Sequence, residues 1–98
     1  MYIDEDPIRR FVQKQNLTSK DSYIQSKVVV EEALELQNAI LNADEDNIKE
    51  ELADVIIATM VLARIKNYHN DLTKLIAEKM QVNLKKPQRK GEGKVPKE

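Results

Sequence analysis

The sequence predicts an all-α fold, an antiparallel bundle of about four helices. Apolar residues recur at intervals of three and four, and no segment alternates apolar and polar residues for long enough to indicate a half-buried strand. Both glycines lie beyond residue 90, so the turns between the periodic segments contain none. The length of 98 residues supports one domain, which we place at residues 1–86, ahead of a basic tail at residues 87–98 that we expect to be flexible.

The first two helices have start signals of different kinds. Asp6 followed by Pro7 is typical of an N-cap and first-turn pair, and it opens a short helix that ends near Asn16. Thr18 or Ser19 begins the second helix, which we expect to continue to about residue 42. The first helix is short enough that its expected role is to cover the core.

Short polar residues mark the starts of the third and fourth helices. Asp44 or Asp46 caps the third helix, which continues to about residue 68, and Asn70 or Asp71 caps the fourth. The fourth helix must end by residue 86, because Pro87 disfavours helical geometry in the residue before it.

The third helix contains a segment, Val55 to Ala63, that is apolar around its whole circumference. A helix at the surface of a monomer would keep a polar side. We therefore predict a homo-oligomer that buries this segment, in which helices 2 and 3 pack together. The alternative is a helix that passes through the centre of a four-helix monomer.

Composition excludes several functional classes. There is no cysteine and a single histidine, His69, so the chain has neither a thiolate nucleophile nor a histidine-rich metal site. Residues 1–84 are acidic and only the last residues are basic, which argues against nucleic-acid binding. The longest uncharged run falls well short of the ~20 residues of a membrane span, so we expect no membrane association and a cytoplasmic protein.

Two clusters of carboxylates are the strongest chemical signal. Each contains an acidic pair spaced i, i+3, which places both acids on one helical face. Such pairs are common on solvated helix surfaces, and either one alone carries little information. The second helix carries Glu31, Glu32 and Glu35, and the third carries Glu50, Glu51 and Asp54.

Register and burial together favour a metal site. If the turn centres near Asp44 and the two helices are antiparallel, Glu35 and Asp54 lie at the same height. The face of the third helix that contains Asp54 continues through Ile57 and other apolar residues. We therefore expect the Asp54 carboxylate to point toward the core, where a bound cation would compensate the cost of burying its charge. Carboxylate oxygens without histidine suit Mg²⁺ or Mn²⁺ and do not suit a di-iron bundle.

These residues carry a family resemblance. The pattern Glu32-x-x-Glu35, then Glu51-x-x-Asp54, lies within VVVEEALEL and EELADVII, and it resembles the MazG-type all-α nucleoside triphosphate pyrophosphohydrolases. The resemblance covers roughly residues 20–86 and includes the downstream pattern Lys-Met-x-x-Asn of the fourth helix.

The resemblance implies a Mg²⁺-dependent enzyme that cleaves a ribo- or deoxynucleoside triphosphate between its α and β phosphates. It implies that Glu32, Glu35, Glu51 and Asp54 bind the metal, with Mn²⁺ as a substitute, while Glu31 and Glu50 are supporting acids. Glu31 is our candidate for the base that takes a proton from water. The resemblance also implies a homo-oligomer, a dimer or a tetramer built as a dimer of dimers.

Phosphates beyond the reach of the metal require cations. Our candidates are Lys27 on the second helix and Lys79, Asn83 and Lys86 at the fourth. The alternatives are an i, i+4 salt bridge from Lys27 to Glu31, an exposed polar face on the fourth helix, and a solvated tail. The basic residues Lys85, Arg89 and Lys90 are further candidates for closing over a triphosphate.

Two other functions remain open from the sequence. One is a dUTPase-like activity within the same architecture, because the few aromatic residues leave base selectivity undetermined. The other is a helical oligomerisation or adaptor protein, whose acids are a solvated stripe and whose basic tail contacts an acidic partner.

Overall fold

The computed structural model describes residues 1–88, and within them it contains four α-helices and no strand. This confirms the predicted all-α fold. A short 3₁₀ helix, Ser19–Asp21, precedes the second α-helix. The helices are α1 (Asp6–Lys14), α2 (Ser22–Leu41), α3 (Glu45–Ile65) and α4 (His69–Leu84).

The start of α1 differs from the prediction. Glu5 occupies the N-cap position without a capping side-chain hydrogen bond, and Asp6 is the first residue inside the helix. The carboxylate of Asp6 instead accepts hydrogen bonds from the guanidinium groups of Arg9 and Arg10. These two bonds hold the pKa of Asp6 below its ordinary value. Because Arg9 and Arg10, one turn later, bind the carboxylate of Asp6, this residue does not cap the helix as the Asp-Pro pair predicts.

The start signal predicted at Thr18 caps the 3₁₀ helix Ser19–Asp21, whereas α2 itself begins at Ser22, with Asp21 at its N-cap position and no capping side-chain bond. The Thr18 hydroxyl accepts a hydrogen bond from the backbone N–H of Lys20, and Asp21 accepts one from the backbone N–H of Thr18 at 2.8 Å. This reciprocal arrangement is a capping box, which satisfies backbone donors that the first helical turn leaves unpaired.

Of the two caps proposed for α3, the structure uses Asp44, whose side chain accepts from the backbone N–H of Asn47 at 3.2 Å. The helix ends at Ile65, three residues earlier than expected. Neither Asn70 nor Asp71 caps α4. Tyr68 holds the N-cap position there, without a capping side-chain bond.

Three residues with positive φ end the first three α-helices: Asn16, Ala43 and Asn67. In each case the next N–H reaches back to a carbonyl five residues earlier, for example from Asp44 to Ala39 at 3.4 Å. This is the Schellman pattern of helix termination. Asparagine tolerates the left-handed conformation, whereas alanine at position 43 adopts it against its preference.

The core lies around the C-terminal half of α3. Ile8 from α1 packs there with Val61 and Ile65, and all three side chains are buried. The α2 helix packs along the other side of α3, and this pair forms the closest contact between elements. Gln25 spans the pair by donating from its amide to the carbonyl of Ala58 at 3.0 Å.

Most of the apolar segment Val55–Ala63 is buried or half-buried within the single chain, and the homo-oligomer expected to bury it stays a prediction. Ala58, Val61 and Ala63 are buried, and among its large apolar side chains only that of Ile57 is exposed. The helix passes through the middle of the chain, between α1 and α2. Within residues 1–88, no helix has both the length and the apolar content of a membrane span.

Candidate metal centre

Three glutamates from two helices converge near the α2–α3 turn. One carboxylate oxygen from each of Glu32, Glu35 and Glu51 lies within 4.8 Å of the other two. Glu35 is six residues before the end of α2 and Glu51 is six residues after the start of α3, so both lie at the same height in an antiparallel pair. The turn capped by Asp44 thus sets the register that brings the two acidic motifs together. We refer to Glu32, Glu35 and Glu51 as the acidic cluster.

Two oxygens of the acidic cluster are buried without a partner. Oε2 of Glu32 and Oε2 of Glu51 are inaccessible to solvent and accept no hydrogen bond, while the side chain of Glu35 is exposed. A buried carboxylate oxygen without a donor is unfavourable, because it has lost its hydration and received nothing in exchange. A cation held by these oxygens would compensate that cost.

The electrostatics of the cluster lead to the same conclusion. Loss of solvent raises the pKa of Glu32, and the negative charges of Glu35 and Asp54 raise it further. Loss of solvent also raises the pKa of Glu51, followed by the effect of Glu35. None of the four ion pairs found within residues 1–88 involves these glutamates. Repulsion among the acids is therefore not relieved by an ion pair with a side chain of the described chain.

The other predicted acids surround the cluster. Asp54 is close enough to raise the pKa values of Glu32 and Glu51, but it is exposed and is not one of the three convergent residues. The expectation that its carboxylate points toward the core is therefore wrong. Ala58, Val61 and Ile65 on the same line of α3 are buried as expected, but the core lies around the C-terminal half of the helix and Asp54 precedes it. Glu31 and Glu50 are exposed as well.

The chemistry of this donor set fits Mg²⁺. The ion prefers carboxylate oxygens and keeps several of its sites for water and substrate phosphate. The acidic cluster supplies three such oxygens, and the exposed side chain of Glu35 leaves one side open to solvent. Glu32 and Glu51 would gain a partner for their buried oxygens when a cation binds.

The predicted phosphate-binding residues lie on α2 and on or directly after α4. The ammonium of Lys27 lies 5.8 Å from the centre of the Tyr23 ring, a cation–π contact, and it forms no ion pair with Glu31. Lys79 and Asn83 lie on α4, which begins after the end of α3 and, among residues 1–88, makes its main contact with α3. Lys86 follows that helix, and Arg89 and Lys90 lie outside the described residues.

A cleft that sequence reasoning missed lies at the other end of the α2–α3 pair, near the start of α2 and the end of α3. Its volume is about 430 Å³, and at its rim the Lys66 ammonium lies 5.5 Å from the Tyr68 ring centre. No sequence motif marks it, because three helices contribute small and apolar residues at unrelated positions. Its lining residues are Ser22, Tyr23, Ser26, Thr59, Leu62, Ala63, Lys66, Tyr68 and Leu72.

Comparison with known proteins agrees with the resemblance. Residues 20–90 match the family model of the MazG nucleotide pyrophosphohydrolase domain, which is most of the chain and includes both acidic motifs. The chain has no significant match among curated proteins or among solved structures. The match across these 71 residues shows that the chain belongs to the MazG nucleotide pyrophosphohydrolase family.

Proposed function

We propose that this protein hydrolyses nucleoside triphosphates, ribo- or deoxy-, between the α and β phosphates in a Mg²⁺-dependent reaction. Water is added across the bridging P–O bond, and the products are a nucleoside monophosphate and pyrophosphate. The observation that carries the proposal is the acidic cluster, with its two buried and unpartnered carboxylate oxygens, in a chain of this family.

Glu32, Glu35 and Glu51 would hold the Mg²⁺, and Mn²⁺ would serve as a substitute. The bound ion supplies charge neutralisation for a triphosphate that the carboxylates would otherwise repel. Asp54 adjoins the cluster and is proposed as a fourth ligand, since its charge already acts on Glu32 and Glu51.

Two exposed acids have supporting roles in this proposal. Glu31 precedes Glu32 on α2 and keeps its carboxylate in solvent, where it is able to take a proton from the attacking water. Glu50 lies beside Glu51 and adds negative charge that increases the attraction of the site for a cation. Lys27, one turn before Glu31 on α2, would contact the phosphates after leaving the Tyr23 ring.

The test is pyrophosphate release from a panel of ribo- and deoxynucleoside triphosphates, with Mg²⁺ and with EDTA. The wild type is compared with Glu35→Gln, which removes one ligand, and with Glu78→Gln as a control. Glu78 is exposed on α4 and pairs with Lys74, at 3.9 Å. Loss of a group that merely orients a metal ligand costs up to about 100-fold, so we expect Glu35→Gln to lose at least that factor in kcat/KM.

Each outcome assigns a function. Release that depends on Mg²⁺ and is lost only in Glu35→Gln supports the proposal and ranks the substrates. Release from dUTP alone would indicate the dUTPase-like activity. No release by a folded protein would overturn the proposal in favour of a non-enzymatic adaptor.

A further inference from the structure

The cleft near the start of α2 and the end of α3 shares no lining residue with the acidic cluster. Its volume of about 430 Å³ is within the range of small-molecule sites, and none of its nine lining residues is an acid. Ser26, on its wall, is six residues before Glu32 on α2, which is about 9 Å along the helix axis. A molecule bound in the cleft would contact side chains of α2, α3 and α4 together.

The hydroxyl groups of the cleft are already used by the chain. Those of Ser22, Ser26 and Thr59 donate to backbone carbonyls three or four residues earlier, at 2.6, 2.6 and 2.8 Å. They have no donor left for a ligand, and the wall beside them is formed by apolar side chains such as Leu62 and Leu72. A sugar or the polar edge of a nucleobase would be buried here without enough partners, which is unfavourable. The interior of the cleft therefore suits an apolar body.

The rim of the cleft carries positive charge. The ammonium of Lys66, which is part of the lining, lies 5.5 Å from the centre of the Tyr68 ring, and that of Lys27 lies 5.8 Å from the centre of the Tyr23 ring. Both distances are close to the ~6 Å limit of a cation–π contact, so each ammonium is held weakly. Neither lysine takes part in an ion pair among residues 1–88. An anionic group at the rim would supply the partner that Lys66 lacks there.

The two tyrosines of the lining favour an aromatic body over an aliphatic one. Tyr23 is 75% exposed and Tyr68 is 50% exposed, so much of each ring is available for contact. Aromatic rings attract one another in offset-stacked and edge-to-face arrangements beyond the effect of the area that they bury. A ring in the cleft would gain this contact and would cover apolar surface of Leu72 at the same time.

We propose that the cleft is a second binding site, for a small aromatic anion. The apolar ring of the ligand fills the cleft, and one anionic group, a carboxylate, sulfonate or phosphate, pairs with Lys66 at the rim. The acidic cluster, in contrast, repels anions unless it holds a cation. The proposal rests on the lining of the cleft and does not depend on the proposed function.

A pair of fluorescent probes tests the ring and the charge separately. 8-Anilinonaphthalene-1-sulfonate has an aromatic body and one sulfonate, and N-phenyl-1-naphthylamine is the same molecule without the sulfonate. We expect one site per chain for each probe, with about fivefold tighter binding of the sulfonate, because one exposed ion pair adds up to about this factor. A folded wild type that binds neither probe would overturn the proposal, and so would equal affinity for both.

Substitutions at the rim and on the wall complete the test. Lys66→Glu should weaken binding of the sulfonate at least fivefold and change that of the uncharged probe less than twofold. Lys49→Glu is the matched control, because Lys49 is exposed on α3 and outside the lining, and it should change neither affinity. Equal effects of the two charge reversals would contradict the role of Lys66.

The wall is tested at Thr59, an exposed position where a larger side chain has room to fold. Thr59→Phe places a ring in the cleft and should weaken both probes at least tenfold, whereas Thr59→Val keeps the size and should leave both unchanged. Circular dichroism verifies that each variant is helical. Unchanged binding of both probes to a helical Thr59→Phe would overturn the proposal.

Amide NMR spectra of the full chain locate the bound sulfonate. The largest shifts should fall on residues 22–26, 59–66 and 68–72, and largest shifts on any other surface would overturn the proposal. Glu35→Gln and EDTA should each change the affinity less than twofold. Competition by a nucleoside triphosphate with Mg²⁺ would assign the cleft to the substrate site and overturn a separate site. Absence of pyrophosphate release would instead contradict the proposed function, and probe binding would still decide the cleft.

Discussion

Replacement of Glu51 by glutamine gives a direct measurement of the acidic cluster. The substitution keeps the size of the side chain and removes its charge, and Glu51 contributes one of the two buried carboxylate oxygens that lack a donor. Without metal, the variant should be more stable than the wild type at neutral pH, because repulsion with Glu35 is relieved. When Mg²⁺ is added, the wild type should gain more stability than Glu51→Gln.

The magnitude follows from mass action. At a Mg²⁺ concentration ten times Kd, binding to the folded state alone stabilises by about 1.4 kcal/mol. For a domain of this size that raises Tm by about 6–11 °C. If loss of one of three carboxylate ligands weakens binding at least tenfold, the same concentration stabilises Glu51→Gln by about 0.4 kcal/mol or less. Its Tm should then rise by no more than about 2–3 °C.

The assay is thermal unfolding followed by circular dichroism, with a Mg²⁺ titration and reversal by EDTA. Glu50→Gln is the matched control, because Glu50 is the adjacent acid, is exposed and is outside the convergent set. It should keep most of the protection. Equal stabilisation of the wild type and Glu51→Gln by Mg²⁺ would refute the assignment of Glu51 as a ligand. An equal loss of this stabilisation in Glu51→Gln and Glu50→Gln would refute it as well.

Two further predictions follow from pKa directions and backbone geometry. The pKa of Glu51 is raised above its ordinary value of 4.5 in the folded, metal-free protein, so its contribution to stability falls as pH rises through that raised value. The advantage of Glu51→Gln in Tm should therefore grow between about pH 5 and pH 7.5, and a constant difference would contradict the shift. Ala43 has a φ of 52° at the end of α2, and Ala43→Gly should stabilise the protein by about 0.5–1 kcal/mol despite the entropy of glycine. Ala53→Gly inside α3 is the opposite control and should destabilise by about 1 kcal/mol in denaturant unfolding, so a loss of stability in both would refute the left-handed strain at Ala43.

The helices, two of their caps and the approximate register of α2 and α3 could be predicted from the sequence. Periodicity of three and four residues determined the helices, and Asp44 and Thr18 determined the starts of two elements, because a cap needs only neighbours in the chain. The spacing of the acids on either side of Asp44 predicted that the two acidic clusters face each other, with Glu35 at the height of Asp54. The structure brings Glu35 close to Glu51 instead. These features depend on residues close in sequence.

The tertiary structure decided which side of each helix is covered. It exposed Asp54, buried one oxygen each of Glu32 and Glu51, and left apolar side chains such as Leu34 on α2 and Ile76 on α4 exposed. A helical sequence with apolar residues on more than one side does not specify which side meets a neighbour. That choice depends on how each helix is rotated about its axis when all the helices pack, which is a property of the whole chain.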